Sequence, residues 1–155
     1  MIKNFILLVL FTFTLSCGYE AMYSKKNVIK NSDFSISKII TSGDRNLNIK
    51  IERKLINYTA EDKSKIYALK ITSEVLKAVI AKNSRGDATI YKLNISVNIL
   101  ANNQDNEESN IQFSRNFKYD NNEDKIELKR YEEEIKENLA DSIAQDLIFR
   151  LSSKQ

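Results

Sequence analysis

The 155-residue sequence contains no histidine, no proline, one cysteine and three glycines. Without histidine it lacks the side chain that most readily moves protons near neutral pH and most often binds metals. A single cysteine excludes an intramolecular disulfide and a thiolate metal cluster. No phosphate-cradling glycine loop, no Gly-x-Ser-x-Gly turn presenting a nucleophile and no metal-ligand spacing is present. This inventory argues against an enzyme and implies neither a cofactor nor a bound metal. With no proline and no low-complexity tract, nothing marks an interdomain linker beyond a short polar segment near the N-terminus. Lys and Arg number 24 against 21 Asp and Glu, a formal net charge of +3. That balance does not draw a protein to nucleic acid, so no nucleic-acid partner is expected, and any electrostatic binding must come from local clusters.

What is present begins at the N-terminus. Lys3 precedes an unbroken apolar run from Phe5 to Phe11, and the segment ends on Thr14-Leu15-Ser16-Cys17-Gly18. A charged start followed by a short apolar stretch is the layout of an export signal. The stretch is too short to cross a bilayer, which needs about 20 apolar residues. Its end resembles a bacterial lipobox, although Thr14 stands where that signal usually has leucine. The resemblance implies cleavage before Cys17, which then carries the lipid anchor, with two or three acyl chains giving stable membrane attachment. A buried core thiol is the alternative for Cys17, but a cysteine at the border between an export segment and a polar chain has no core around it. Residues 1–16 are therefore read as signal peptide. Residues 17–31 are read as a lipidated tether, with Tyr19, Met22 and Tyr23 as its docking points, and 32–155 as a single domain of ordinary size.

Within that domain, 33–41 alternates in part through Phe34, Ile36, Lys38 and Ile40, as a first strand does. Ser42-Gly43-Asp44 is turn-like and offers a helix N-cap. Leu47, Ile51, Leu55 and Tyr58 then fall on one helical face. In 66–81 the apolar positions change parity, from Tyr67, Leu69 and Ile71 to Leu76, Ala78 and Ile80, which predicts one long strand with a bulge near Ser73. Beyond the turn at 83–87, Tyr91, Leu93, Ile95, Val97 and Ile99 alternate strictly with Lys92, Asn94, Ser96 and Asn98, so one face of this strand meets a core and the other meets water. A polar loop leads to a fourth strand through Ile111, Phe113, Phe117 and Tyr119. Arg115 interrupts its apolar parity and must pair, reach out along its stem or mark a bulge.

The last element repeats Leu128, Tyr131, Ile135, Leu139, Ile143, Leu147 and Leu151 at helical spacing, with Glu132, Glu133 and Glu134 read as its exposed early turns. The order strand, helix, three strands, helix predicts an α+β fold: a four-stranded, mainly antiparallel sheet with two helices on one face and the other face polar.

Several short motifs follow one another in this frame: Cys17-Gly18-Tyr19, Asp44-Arg45, Thr89-Ile90-Tyr91-Lys92-Leu93 and Ala140-Asp141-Ser142-Ile143. In this order the chain resembles the LptE family of lipopolysaccharide-assembly lipoproteins over nearly its full length, in the compact form found in alphaproteobacteria. It departs at Ile90, where the family often has arginine. The resemblance implies an outer-membrane lipoprotein, lipid-anchored and facing the periplasm or the lumen of an LptD-like barrel that it plugs while lipopolysaccharide passes to the cell surface. Lipopolysaccharide carries phosphates and carboxylates, so Lys82, Arg85 and Lys92, near Gly86, are the candidate ligand-binding residues. A plug in a wet lumen also suits the polar parity of the third strand, whose plain alternative is a solvated sheet face. A tether joined to an α+β sandwich equally fits another small periplasmic lipoprotein, such as an auxiliary subunit of a lipid or solute transporter, because fold alone does not separate the two.

Overall fold

The structure is a computed structural model and describes residues 32–59, 63–105 and 107–153. The export segment, Cys17 and the tether residues Tyr19, Met22 and Tyr23 lie outside the described residues. Within them the order is β1 (Phe34–Gly43), α1 (Arg45–Leu55), a 3-10 turn (Ile56–Tyr58), β2 (Lys65–Lys82), β3 (Ala88–Asn103), β4 (Glu108–Asp120) and α2 (Lys125–Ser153). The strands form one sheet in the order β1-β2-β3-β4. β1 runs parallel to β2, as a strand reached through a helical crossover can, and the other two pairings are antiparallel. The fold is the α+β arrangement expected.

The strict alternation of β3 is realised from Leu93 onward, whereas Tyr91 shares the face but is only half-buried, under the Lys77 ammonium. Leu93, Ile95, Val97 and Ile99 are buried, and their polar neighbours share the opposite face with alternate residues of β2 and β4. Leu69 and Ile71 of β2 and Ile111 and Phe113 of β4 complete the buried side. Leu47, Ile51 and Leu55 of α1 and Ile135, Ile143, Leu147 and Leu151 of α2 are buried as well. The stripe of α2 is rotated from the one expected: Ala140 and Ala144 are buried, whereas Leu139 is half-buried and Tyr131 is 44% exposed. Tyr131 instead packs edge-on against the Tyr119 ring at the rim, with centroids 6.1 Å apart.

The expected bulge sits elsewhere in the chain. No register shift occurs at Ser73, which pairs regularly with Val97. The irregularity lies at Val79/Ala81, near the hairpin end, so Leu76 and Ala78 stay on the open face of the sheet. Apolar parity breaks at Ser73 because that residue anchors the β1–α1 junction. Its carbonyl accepts from Asp44 N at 3.1 Å, and its hydroxyl donates to Asp44 O at 3.2 Å. Gly43 has φ +92°, and a Cβ there would lie 1.8 Å from Ser73 O. Asp44 is the N-cap expected, its Oδ1 accepting from Leu47 N at 2.8 Å.

β1 departs from the alternation expected of it, because an extra residue, Ser37, interrupts the pairing with β2. It places Phe34 and Ile36 in the core and swings Lys38 and Ile40 to the open face, although the four share one parity in sequence. Phe34 stacks on Tyr58 with ring centroids 5.3 Å apart.

Candidate functional site

The hairpin joining β2 to β3 turns through residues 83–87. Asn83 Oδ1 accepts from Arg85 N and Asp87 N, both at 2.9 Å, and Gly86 supplies φ +90°. The tip is thus a defined turn. Lys82, at the end of β2, is exposed and pairs in register with Ala88. Arg85 is exposed, with Nε 3.5 Å from Asp87 Oδ2.

Lys92 is not at the tip. It lies four residues into β3 from Ala88, about 13 Å along the strand at the usual rise. There it points to the open face beside Ala78 of β2 and Lys118 of β4. The structure therefore separates Lys92 from Lys82 and Arg85 and gives it a neighbour, Lys118, that nearness in sequence does not reveal. The available signal was parity: Lys118 follows Gln112, Ser114 and Asn116 on the wet side of β4.

The open face is built in rows by the register. Across β2, β3 and β4 the rows are Thr72, Asn98 and Gln112; Glu74, Ser96 and Ser114; Leu76, Asn94 and Asn116; and Ala78, Lys92 and Lys118. On β3 and β4 its middle is a band of amides and hydroxyls, bordered on β2 by Glu74 and Leu76 and joined from β1 by Ser42, whose Oγ lies 3.0 Å from Thr72 Oγ1. Asn98 Oδ1 is buried without a hydrogen-bond partner among the described residues. A shallow depression runs over Thr72, Glu74, Asn98, Gln112 and Ser114.

The helix-covered side carries its own charges, each with a partner. Glu132 Oε1 accepts from Lys77 Nζ and, at 2.9 Å, from Tyr119 Oη. The Lys77 ammonium lies 3.9 Å from the centre of the Tyr91 ring. Burial, and then the bond to the Glu132 carboxylate, push the Tyr119 hydroxyl above the usual phenol range. Glu133 bonds Lys136 at 2.8 Å and approaches Lys50. Of the three glutamates read as exposed early turns, only Glu134 is exposed. Glu132 and Glu133 are drawn inward because lysines on β2 and α1 face them. Arg115 pairs with Asp146 of α2. Among the described residues no cluster of His, Cys, Asp or Glu is placed to hold a metal, and no helix is long and apolar enough to cross a membrane.

No protein-family model matches the chain, and no curated protein does. Solved structures do resemble it. Rare lipoprotein B from Shewanella oneidensis is 14% identical over 71% of this chain and 92% of its own, with a TM-score of 0.51. A minor lipoprotein from Acinetobacter baumannii is 10% identical over 74% and 94%, with a TM-score of 0.51. A lipoprotein from Caulobacter crescentus is 14% identical over 76% and 88%, again with a TM-score of 0.51. The chain thus has the fold seen in these lipoproteins.

Proposed function

We propose that this chain is an outer-membrane lipoprotein of the LptE type, anchored through Cys17, which binds an LptD-like barrel as a plug and assists lipopolysaccharide assembly at the cell surface. One observation supports this most: a lipoprotein-type fold that buries one sheet face under two helices and turns a band of amides and hydroxyls outward on the other. A surface rich in neutral hydrogen-bonding groups and edged by lysines suits a water-filled lumen, where a buried apolar face would not be wetted and a strongly charged one would repel one sign of cargo. The role is to hold and to position, without catalysis.

The test is affinity purification of the tagged mature protein from detergent-solubilised membranes. A stoichiometric large barrel in the eluate supports the proposal. A transporter ATPase or permease in its place moves the chain to the auxiliary-subunit reading. Cys17→Ala belongs in the same experiment: it should prevent lipidation and release chain that is not held by its partner from the membrane pellet.

A further inference from the structure

β2 outlasts its neighbour. β1 ends at Gly43 opposite Ser73, and among the described residues no other strand lies on that side of β2. Ser73 O accepts from Asp44 N, so Ser73 turns its backbone groups outward. By the alternation of a strand Val75, Lys77 and Val79 do the same. Nothing among the described residues pairs with them there. The regular part of this free edge runs from Glu74 to the bulge after Val79. It holds out a row of unpaired N–H and C=O groups that an incoming strand can use.

Sheet edges are ordinarily guarded by charge, proline or twist. β4, the other edge, follows that rule: Ser114, Asn116 and Lys118 line its open face, and Arg115 stands on its helix side. The free part of β2 does not. Leu76 is 54% exposed, Val79 45% and Ile80 43%, and Ala78 is exposed as well. Leu76 and Ala78 lie on one face of the strand and Val79 on the other. Lys77, the charge in the middle of the segment, is drawn away from the edge, onto the Glu132 carboxylate and over the Tyr91 ring at 3.9 Å. Apolar side chains on both faces of an unpaired edge form a surface that one more strand would cover.

The charges at its two ends select the occupant. Glu74 and Lys82 are exposed, have no ion-pair partner among the described residues and stand four residues to either side of Ala78. Two copies of the segment laid antiparallel about a two-fold axis at Ala78 bring each Glu74 toward the other copy's Lys82 and each Leu76 beside the other's Ile80. Parallel copies would set like charge against like, and an axis at Lys77 would oppose two ammonium groups. The segment is thus complementary to itself, as a two-fold interface requires.

We propose that the free edge of β2 pairs antiparallel with the same edge of a second copy of this chain, from Glu74 to Lys82, joining the two sheets into one. Lys77 and Val79 exchange main-chain hydrogen bonds with Val79 and Lys77 of the second copy, and Ala78 faces its own counterpart. The contact is short, about nine residues a side against about 20–30 in a standard interface, so the dimer forms reversibly. It rests on the sheet topology and the charges of β2, independently of the proposed function.

The experiment uses the full mature protein in detergent. Sedimentation over a range of concentrations should show monomer in equilibrium with dimer. Oxidation of Ala78→Cys should give a disulfide-linked dimer, because facing residues of a non-hydrogen-bonded antiparallel pair have Cα atoms about 4.5 Å apart, within disulfide reach. The parent protein, oxidised beside it, accounts for Cys17. Glu74→Lys enters a two-fold interface twice, so it should weaken the dimer about tenfold at low salt and less in 1 M salt. Glu74→Lys combined with Lys82→Glu should restore the parent affinity. Glu74, Ala78 and Lys82 are all exposed, so these variants keep the fold. Linked dimers from Asn94→Cys or Ser114→Cys in place of Ala78→Cys would overturn the proposal and move self-association to the open face or to the edge of β4. A chain that stays monomeric at every concentration overturns it. So does a double charge variant no tighter than Glu74→Lys, since the pairing would not be antiparallel about Ala78. An Ala78→Cys chain that links in membranes only to a different protein also overturns it and gives the edge to a foreign strand.

Discussion

Arg115 projects from the core-facing parity of β4 and is paired with Asp146 of α2. Its guanidinium lies 6.0 Å from the Phe113 ring centre, and that of Arg150 lies 5.3 Å from the same ring. The stem covers apolar surface at the rim while the head stays wet. Both partners are more than a third exposed, so the charge pairing contributes little, within about 1 kcal/mol. Arg115→Met should therefore keep most of the stability that Arg115→Ala loses. A double-mutant cycle with Asp146→Asn should give a coupling of about 0.5 kcal/mol at low salt that shrinks as salt is added.

Gly43 and Gly86 both adopt positive φ, but their surroundings differ. A Cβ at Gly43 meets the Ser73 carbonyl, and one at Gly86 meets nothing within 4 Å. Gly86→Ala should cost about 1 kcal/mol from backbone strain alone. Gly43→Ala should cost clearly more, above about 2 kcal/mol, because the β1–α1 junction must also move. Denaturant midpoints of the unlipidated chain check both.

Glu137 accepts a hydrogen bond from Lys50 at 2.9 Å, and Lys54 approaches its other oxygen. The Lys50 bond is the first cause holding its carboxyl below the usual range. A carboxyl depressed in the folded state stabilises the fold above its unfolded value, near 4.3, and loses that contribution as pH falls through the folded value. Wild type should therefore be more stable than Glu137→Gln at pH 7, with the gap closing toward pH 3. A gap that is constant with pH would show that the Lys50 contact contributes nothing.

Ile95 is fully buried beneath the helices, and its neighbour Asn94 lies on the open face. Ile95→Ala should cost about 2–5 kcal/mol and Asn94→Ala about 0.5 or less. Equal losses in urea titrations would reverse the assignment of the two faces.

These contrasts show where the sequence was readable. Strict alternation in β3 fixed its buried face, and Asp44 announced the start of α1, because both signals are local. The extra residue at Ser37 was not readable, since its neighbours Phe34, Ile36, Lys38 and Ile40 keep one parity and only pairing with β2 shows the shift. Ser73 resembled a bulge because its partner, Asp44, lies 29 residues away in the chain. The candidate site suffered most. Nearness in sequence groups Lys92 with Lys82 and Arg85, whereas its neighbour across the sheet is Lys118, set by the register of β3 on β4. Long-range register depends on turn geometry and packing, which residue patterns within one segment do not encode.

The proposed plug role requires the polar sheet face to meet an outer-membrane barrel. A photo-crosslinking residue at Ser96, in the middle row of that face, tests it directly in living cells. One dominant high-mass adduct containing a large outer-membrane barrel is expected, with a Cys17→Ala background reducing its yield. An adduct with a transporter permease or ATPase, or no specific adduct at Ser96 while the fully folded protein is present at normal level, would contradict it.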